Sequence, residues 1–436
     1  MRSSELTADA SPVAPAQTPP TEASESYLPM RATVTTLVVL TLINVLNFLD
    51  RQLPFILAES IKRDLGLSDT QLGLLGGFAF AVCYSTMALP LGRLADRWSP
   101  KAVLGGCILV WSTMTAAGGL ARNFAQLAVA RVGVAVGEAG CTPAAHALIS
   151  RRIAPERRGL ALGLFSMGVP VGTMLGLVLG GWINDHASWR VALFGAGGAG
   201  LVFVLLLLFL VPDARHARTA EPTPPLAATV RHLFASPAFR ALFLAISLSG
   251  AAVYATLSFS APYLIRVHGL TTAQVGLYLG LIQGIGGVVG SYLGGRAFDR
   301  AMANGRRHTL RAPALSMIFA APAAALCWFA PNTTIAVLCF VPILMAYVFF
   351  IPASFGMAHI IAGTGRQAVA SSVLMIGVGL LGASVGPLVV GMASDMLRPQ
   401  LGTASLQWAL LFVAVANFLA GLAFLAADRR FGAQAA

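Results

Sequence analysis

Charge is what this sequence has least of. Of its 436 residues, 11% are Asp, Glu, Lys or Arg and 57% are hydrophobic, whereas about 25% charge is usual in a soluble domain. The mean hydropathy is +0.77. One soluble core cannot grow to absorb that much apolar sequence in a chain this size, so the composition excludes a soluble globular protein and leaves an integral membrane one. Lysine is nearly missing, Lys62 and Lys101 standing against 27 arginines. With the abundant alanine, this is the bias of GC-rich bacterial genomes and points to a bacterial cytoplasmic (inner) membrane.

Other absences remove whole classes of function. No run interleaves Lys or Arg with aromatics as a nucleic-acid groove binder needs. The five cysteines, Cys83, Cys107, Cys141, Cys327 and Cys339, lie in apolar segments without a C-x-x-C spacing, which argues against a disulfide framework or a metal site. No Walker A or His-x-x-x-x-Asp pattern occurs, so neither ATP-driven work nor a membrane-embedded enzyme is expected, and no cofactor is implied. Residues 1–31, rich in Pro, Ala, Ser, Thr and Glu, lack the apolar stretch of a signal peptide. They read as a disordered cytoplasmic tail, with the first helix an uncleaved anchor.

What is present is a series of apolar segments about 20 residues long, the length that crosses a bilayer. Twelve occur, near 33–58, 70–94, 101–121, 124–149, 158–184, 188–211, 239–264, 271–297, 311–330, 333–359, 367–394 and 404–427. The one long connection, 212–238, carries Pro212, Pro222, Pro224 and Pro225 among arginines and divides the chain into six helices (32–211) plus six (239–428), with a short tail at 429–436. If both termini are cytoplasmic, only Lys62, Arg63, Arg122, Arg190, Arg266 and Arg398 fall on the outer side and Arg51 and Arg131 within the membrane; the other 21 of 29 positive residues lie inside. That excess sets the expected orientation.

The halves repeat one another. Shifted by 203 residues, Gly66-Leu67-Ser68-Asp69-Thr70-Gln71 overlies Gly269-Leu270-Thr271-Thr272-Ala273-Gln274, each with a Ser or Thr three residues before Gln, a capping box that opens a helix. The same shift places Gly92-Arg93-Leu94-Ala95-Asp96-Arg97 over Gly295-Arg296-Ala297-Phe298-Asp299-Arg300; a shift of 210 aligns Gly172, Gly176, Gly181 and Asp185 with Gly382, Gly386, Gly391 and Asp395. Two all-α, pseudo-symmetric six-helix bundles with a midplane site between them are a transporter architecture. Glycines four apart (Gly276, Gly280, Gly284; Gly286, Gly290, Gly294; Gly172, Gly176, Gly180) let helix backbones approach closely in lipid.

The run Gly92-x-x-x-Asp96-Arg97, echoed at Gly295, Asp299 and Arg300, resembles the signature loop of the major facilitator superfamily, and the resemblance covers residues 33–428. It implies a gate in which Asp96 meets the positive N-terminal end of helix 11, with Gly92, Arg97, Asp299 and Arg300 in the paired loops. Asn47-Phe48-Leu49-Asp50-Arg51, Arg131-Val132-Gly133-Val134-Ala135-Val136-Gly137-Glu138-Ala139-Gly140 and Pro155-Glu156-Arg157-Arg158-Gly159 look like the spinster branch. That branch implies proton-coupled movement of lysolipid-like substrates. The anion:cation symporter branch shares an Asp-Arg in helix 1 and an Arg…Glu-Ala…Pro in helix 4, which keeps a small organic anion as the alternative.

Asp50, Arg51, Arg131 and Glu138 are the charges well inside the hydrocarbon. Unpaired, they would cost roughly 10–14 kcal/mol together, so pairing or a wet cavity is required. Arg131 and Glu138, two turns apart, share a helix face at about 10 Å separation and suit opposite ends of one site. We read Asp50 as a proton-binding carboxylate whose conformation-dependent partner is Arg131: approach of Arg131 favours the ionised form and withdrawal the protonated one. Glu138 is the second proton candidate and also a substrate contact. Arg51, about 100° round from Asp50, meets a substrate anion or another helix. The competing reading is a fixed ion pair locking helices 1 and 4. In helix 7, Tyr254 and Ser258 are substrate-contact candidates beside Ser249, Thr256, Ser260 and Tyr263, whose hydroxyls can equally bond their own helix. The expected partners are membrane lipids, protons and an amphipathic or small anionic substrate, with no nucleic acid, for a monomeric multi-pass protein.

Overall fold

The computed structural model describes residues 28–213, 226–304, 308–363 and 366–435. The tail expected over 1–31 and the proline-rich middle of the 212–238 connection lie largely outside them. Among the described residues every regular element is a helix. Ten membrane helices follow in order: α1 Met30–Ile56, α2 Asp69–Ala95, α3 Pro100–Gly119, α4 Phe124–Arg152, α5 Arg157–His186, α6 Trp189–Leu210, α7 Pro237–His268, α8 Thr272–Ala303, α9 Arg311–Trp328 and α10 Thr333–Ala362. The last apolar run, Val369–Gly432, is 64 residues long. As one helix it would reach about 96 Å, some three bilayer cores of about 30 Å. It breaks at Gly402, whose φ of +56° is open to glycine. The run is therefore two helices: α11 over Gln367–Met375, Ile376–Gly382 and Ala383–Leu401, and α12 over Ser405–Ala409 and Leu411–Ala435. Twelve crossings result, as the hydropathy pattern requires.

Helix starts follow the sequence repeat. Ser68 and Thr271 each accept from the backbone three residues on, and Gln71 and Gln274 bond back, so both capping boxes form. Ser99 caps α3 through Ala102 with Pro100 in the first turn, which gives the loop after Asp96 its helix start. Two boundaries differ from expectation. The 212–238 connection ends in a helix, Leu226–Ala235, packed beneath the ends of α7, α10 and α11, with Leu233 fully buried. The 429–436 tail continues α12 as helix to Ala435.

We call the face that carries the start of α1 and the end of α12 the terminal face, and its opposite the distal face. Within the first half α1 packs on α5 and α3 on α6 and α4; within the second α12 packs on α7 and α9, and α8 on α10. The three glycine series divide this labour: Gly172, Gly176 and Gly180 face α1, Gly286, Gly290 and Gly294 face α10, and Gly276, Gly280 and Gly284 face α5 across the seam between halves. A second seam joins α2 to α11, where a π-helical turn, Leu74–Phe78, sets Gly77 against the backbone of Ala383. Both seams belong to the distal halves of these helices. Beyond Met174 and Gly284, α5 and α8 part, and a Cβ added at Gly163 or Gly287 would meet no atom of a neighbouring helix within 4 Å. The bundles are closed at the distal face and separate toward the terminal face.

A side chain at Gly77 would place Cβ 1.9 Å from the Ala383 carbonyl oxygen, whereas Cβ at Gly287 meets nothing. Gly77→Ala is therefore expected to shift the protein away from this closed-distal state, read as faster labelling of a cysteine placed on the distal seam. Gly287→Ala should leave labelling unchanged.

Candidate functional site

The intramembrane charges gather on α1 and α4 of the first half. Asp50 is buried and accepts a hydrogen bond from Thr115 Oγ1 of α3 at 2.5 Å. Arg51 donates from Nε and an Nη to the same Glu138 oxygen, at 2.9 and 2.7 Å. Rings of Phe48, Phe80 and Tyr84 stand 4.8–5.2 Å from its guanidinium, each a cation–π contact. The other guanidinium, Arg131, also lies over Phe80, at 5.0 Å. Phe80 thus touches both guanidiniums.

This pairing differs from the one expected. Arg131 makes no ion pair with Asp50 among the described residues, and its buried Nε is without a hydrogen-bond partner. Arg51 takes Glu138 because its long side chain, leaving α1 on a different face from Asp50, spans to α4. Of the four charged side chains, Arg51 keeps the most exposure, 18% against 0% for Glu138. From the second half, Tyr254 of α7 lies within electrostatic reach of Arg51, and Ser258 Oγ is buried without a partner. The other candidates on α7 are absorbed by their own half: Ser249 and Thr256 bond back one turn, Thr256 also meets Tyr347, and Tyr263 donates to the Cys327 carbonyl.

At the distal face the halves are fastened by charge. Arg266 at the end of α7 grips Asp69 of α2 with two bonds, at 2.8 and 2.9 Å, and Glu59 at 2.7 Å. Lys62 and Ser394 complete the shell of Asp69. Two further acids cap helices of the opposite half. Asp185, ending α5, accepts from the backbone of Thr272 and Ala273 at the start of α8. Asp395 of α11 accepts from Asp69 and Thr70 at the start of α2. A carboxylate at a helix N-terminus meets orphan N–H groups and the positive dipole end. These are the two acids that the 210-residue shift superposes. Outside the membrane helices, a hydrogen bond from Arg190 holds the Asp64 carboxyl below the usual carboxylate range.

Among the described residues, no ion pair joins residues 92–97 to residues 295–300 at the terminal face. Gly92 faces Pro143 of its own half, and Arg97, Asp299 and Arg300 are exposed; the side chain of Asp96 lies outside the described ones. Among the described residues, the gate seen closed is the distal one.

Residues 40–387 match the family model for the Major Facilitator Superfamily. The chain belongs to that superfamily. Within it the chain is of the spinster-like branch, and its relatives are transporters rather than enzymes. It is 36% identical to an MFS-type efflux pump of Mycolicibacterium smegmatis over 390 residues, 88% of this chain and 89% of that one. It is 29% identical to protein spinster homolog 1 of Homo sapiens, covering 90% of this chain and 81% of that protein. A crystal structure of a bacterial homologue of the human lysosomal transporter Spinster, inward-facing and unoccupied, superposes with a TM-score of 0.84 at 26% identity, covering 93% and 99% of the two chains. This major facilitator transporter is thus a multi-pass membrane protein with its distal gate shut.

Sequence reasoning found the four buried charges but missed their company. Thr115 carries no charge to flag it; Phe80 and Tyr84, four apart on one face of α2, were the available signal. Asp69 was noted only as part of a capping box. Removing one partner of a buried, hydrogen-bonded pair costs about 3–5 kcal/mol, and Asp69 meets Arg266 only while the gate is closed. Arg266→Ala should therefore raise the ratio of gate-open to gate-closed protein by about two to three and a half orders of magnitude. Spin-label distances between the distal ends of α2 and α7 should report this as a longer component; an unchanged distribution would show the network to be passive.

Proposed function

We propose that this protein is a proton-coupled secondary transporter of an amphipathic, lysolipid-like substrate, working by alternating access in a bacterial inner membrane with both termini cytoplasmic. The observation that carries the reading is the buried pair of carboxylates in separate settings: Glu138 held by Arg51 and Asp50 held by Thr115. Two acids so deeply buried, one hydrogen-bonded to a cation and one to a hydroxyl, give a site that can exchange a proton for a conformational change. On this orientation the terminal face is the cytoplasmic one and the state described is inward-open.

In that state Arg51, ringed by Phe48, Phe80 and Tyr84 and facing Tyr254, offers a substrate an anion contact amid aromatic walls. A phosphate head group reaching Arg51 competes with Glu138, and release of Glu138 frees it to take a proton. Arg131, in the same bundle, draws the proton off Asp50 when its own side chain closes on the carboxylate. The relatives, an efflux pump in one case and spinster homologues in others, support transport as the activity; the lysolipid-like class is what the spinster-like motifs of helices 1 and 4 imply. A small organic anion is the second reading, and Arg51 and Arg131 would serve it equally.

Reconstituted in liposomes, the protein should move a labelled lysophospholipid at a rate that rises severalfold under an imposed pH gradient. Failure by folded protein would turn the assignment to small anions. Asp50→Asn should fold and bind normally yet lose the gradient dependence; collapse of folded yield in that variant would instead favour a fixed structural role. Glu138→Gln should weaken the hold on Arg51 and change apparent affinity and pH dependence together, which a substrate titration at two pH values reads directly.

A further inference from the structure

Lined almost wholly by the first bundle lies a cavity of about 40 Å³. Asp50, Thr115 and Arg131 form its deep end, and from there it runs past Pro54, Met114 and Ala130 to Leu127, Leu193 and Ile61 at the distal ends of the helices. The distance is short, since Asp50 is six residues, about 9 Å, from the end of α1. A buried water needs about 10–15 Å³ and two or more polar partners, so the volume accommodates about three. Two buried polar atoms without a partner, Arg131 Nε and Ser258 Oγ, belong to residues of this same cavity. Buried donors and acceptors are almost always satisfied, by protein or by water.

One residue of the lining comes from the other half. Ser258 of α7 closes the wall where α2 has no side chain: a Cβ on Gly76 would lie 2.9 Å from Ser258 Oγ and 3.2 Å from the Phe55 ring. The wall there is a single contact thick, it sits on the seam between halves, and it parts when the seam does.

We propose that this cavity is a water chamber serving Asp50, sealed by the Gly76–Ser258 contact while the distal gate is shut and opened to the outside when α7 leaves α2. The inference rests on the proton-coupled reading and on its orientation, and it adds a route: Asp50 exchanges protons with the outer side through the chamber, while Arg51 and Glu138 face the inner cleft. The proton passes from outside hydronium through the chamber waters to a carboxylate oxygen of Asp50, the new O–H bond forming as the donor water's breaks. Asp50 is faced by Arg131 and Glu138 of α4, by Thr115 of α3 and by Arg51 of its own helix, with Tyr84 and Tyr254 beyond Arg51. Phe80 lies within 5.2 Å of both guanidiniums.

The test uses full-length protein in vesicles with the interior strongly buffered. The carboxyl infrared band lost in Asp50→Asn is followed after a step in external pH. Wild-type protein should protonate Asp50 from outside. Ala130→Leu, which fills the chamber without altering a charged group, should slow that step at least tenfold. Gly118→Ala, whose added methyl meets Leu193, Ala130 and Leu127 at 3.5–3.7 Å, should slow it less and fold normally. An unchanged rate in both filled variants, or a band answering only to internal pH, overturns the chamber as the route. If no band of Asp50 responds to pH on either side, the proton-site reading fails and takes this inference with it. A separate measurement tests the chamber alone: in a background without the five cysteines, Ala130→Cys should react with external 2-aminoethyl methanethiosulfonate, and faster when combined with Arg266→Ala. No reaction in either form overturns the opening.

Discussion

A charge in hydrocarbon must have company, and the architecture of this protein follows from how that demand is met. Arg51 has a carboxylate and three rings around it, Asp50 has a threonine hydroxyl, and Arg131 has the face of Phe80. All of these groups belong to the first six helices. The second half contributes only uncharged side chains near them, Tyr254 and Ser258. The machinery that holds charge and the surface that moves against it are thus assigned to different halves. A rocking motion changes what the charges face without pulling any of them out of its own bundle.

The same economy of partners governs the seams. Lipid supplies no hydrophobic force to press two helix bundles together, so association rests on close backbone approach and on polar contacts. Gly276 and Gly77 admit the backbones of Leu177 and Ala383, while Asp185, Asp395 and Arg266 provide the polar bonds. Each carboxylate at a helix end contributes about 0.3–2 kcal/mol. A gate assembled from several such contacts is firm as a set and reversible one contact at a time, which suits a joint that opens in every cycle.

Much of this was legible in the residues. Twelve apolar segments, the repeat of Gly66–Gln71 at Gly269–Gln274 and the paired glycines set out the bundles, and the cost of four buried charges marked the site. The pairing of those charges was not legible, because it depends on reach and rotation rather than on spacing. Arg51 adjoins Asp50 in sequence yet binds Glu138, 87 residues away. The distal network joins Asp69 to Arg266 across 197 residues, and in the sequence both stand in short loops that hydropathy treats only as boundaries. The helix Leu226–Ala235 was hidden by its proline-rich surroundings, and tertiary packing of Leu233 rather than local pattern fixes it.

The two acids at the distal face carry an implication about symmetry. Asp185 of the first half seats on the start of α8 in the second, and Asp395 of the second seats on the start of α2 in the first. Patch a of one unit meets patch b of the other, and b meets a, which is the grammar of an isologous dimer. A single six-helix unit with an acid ending its fifth helix and a capped start to its second already holds both halves of that handshake. Two copies of such a unit have what they need to close on each other, so the contact between the halves of this chain has the form of an isologous dimer interface.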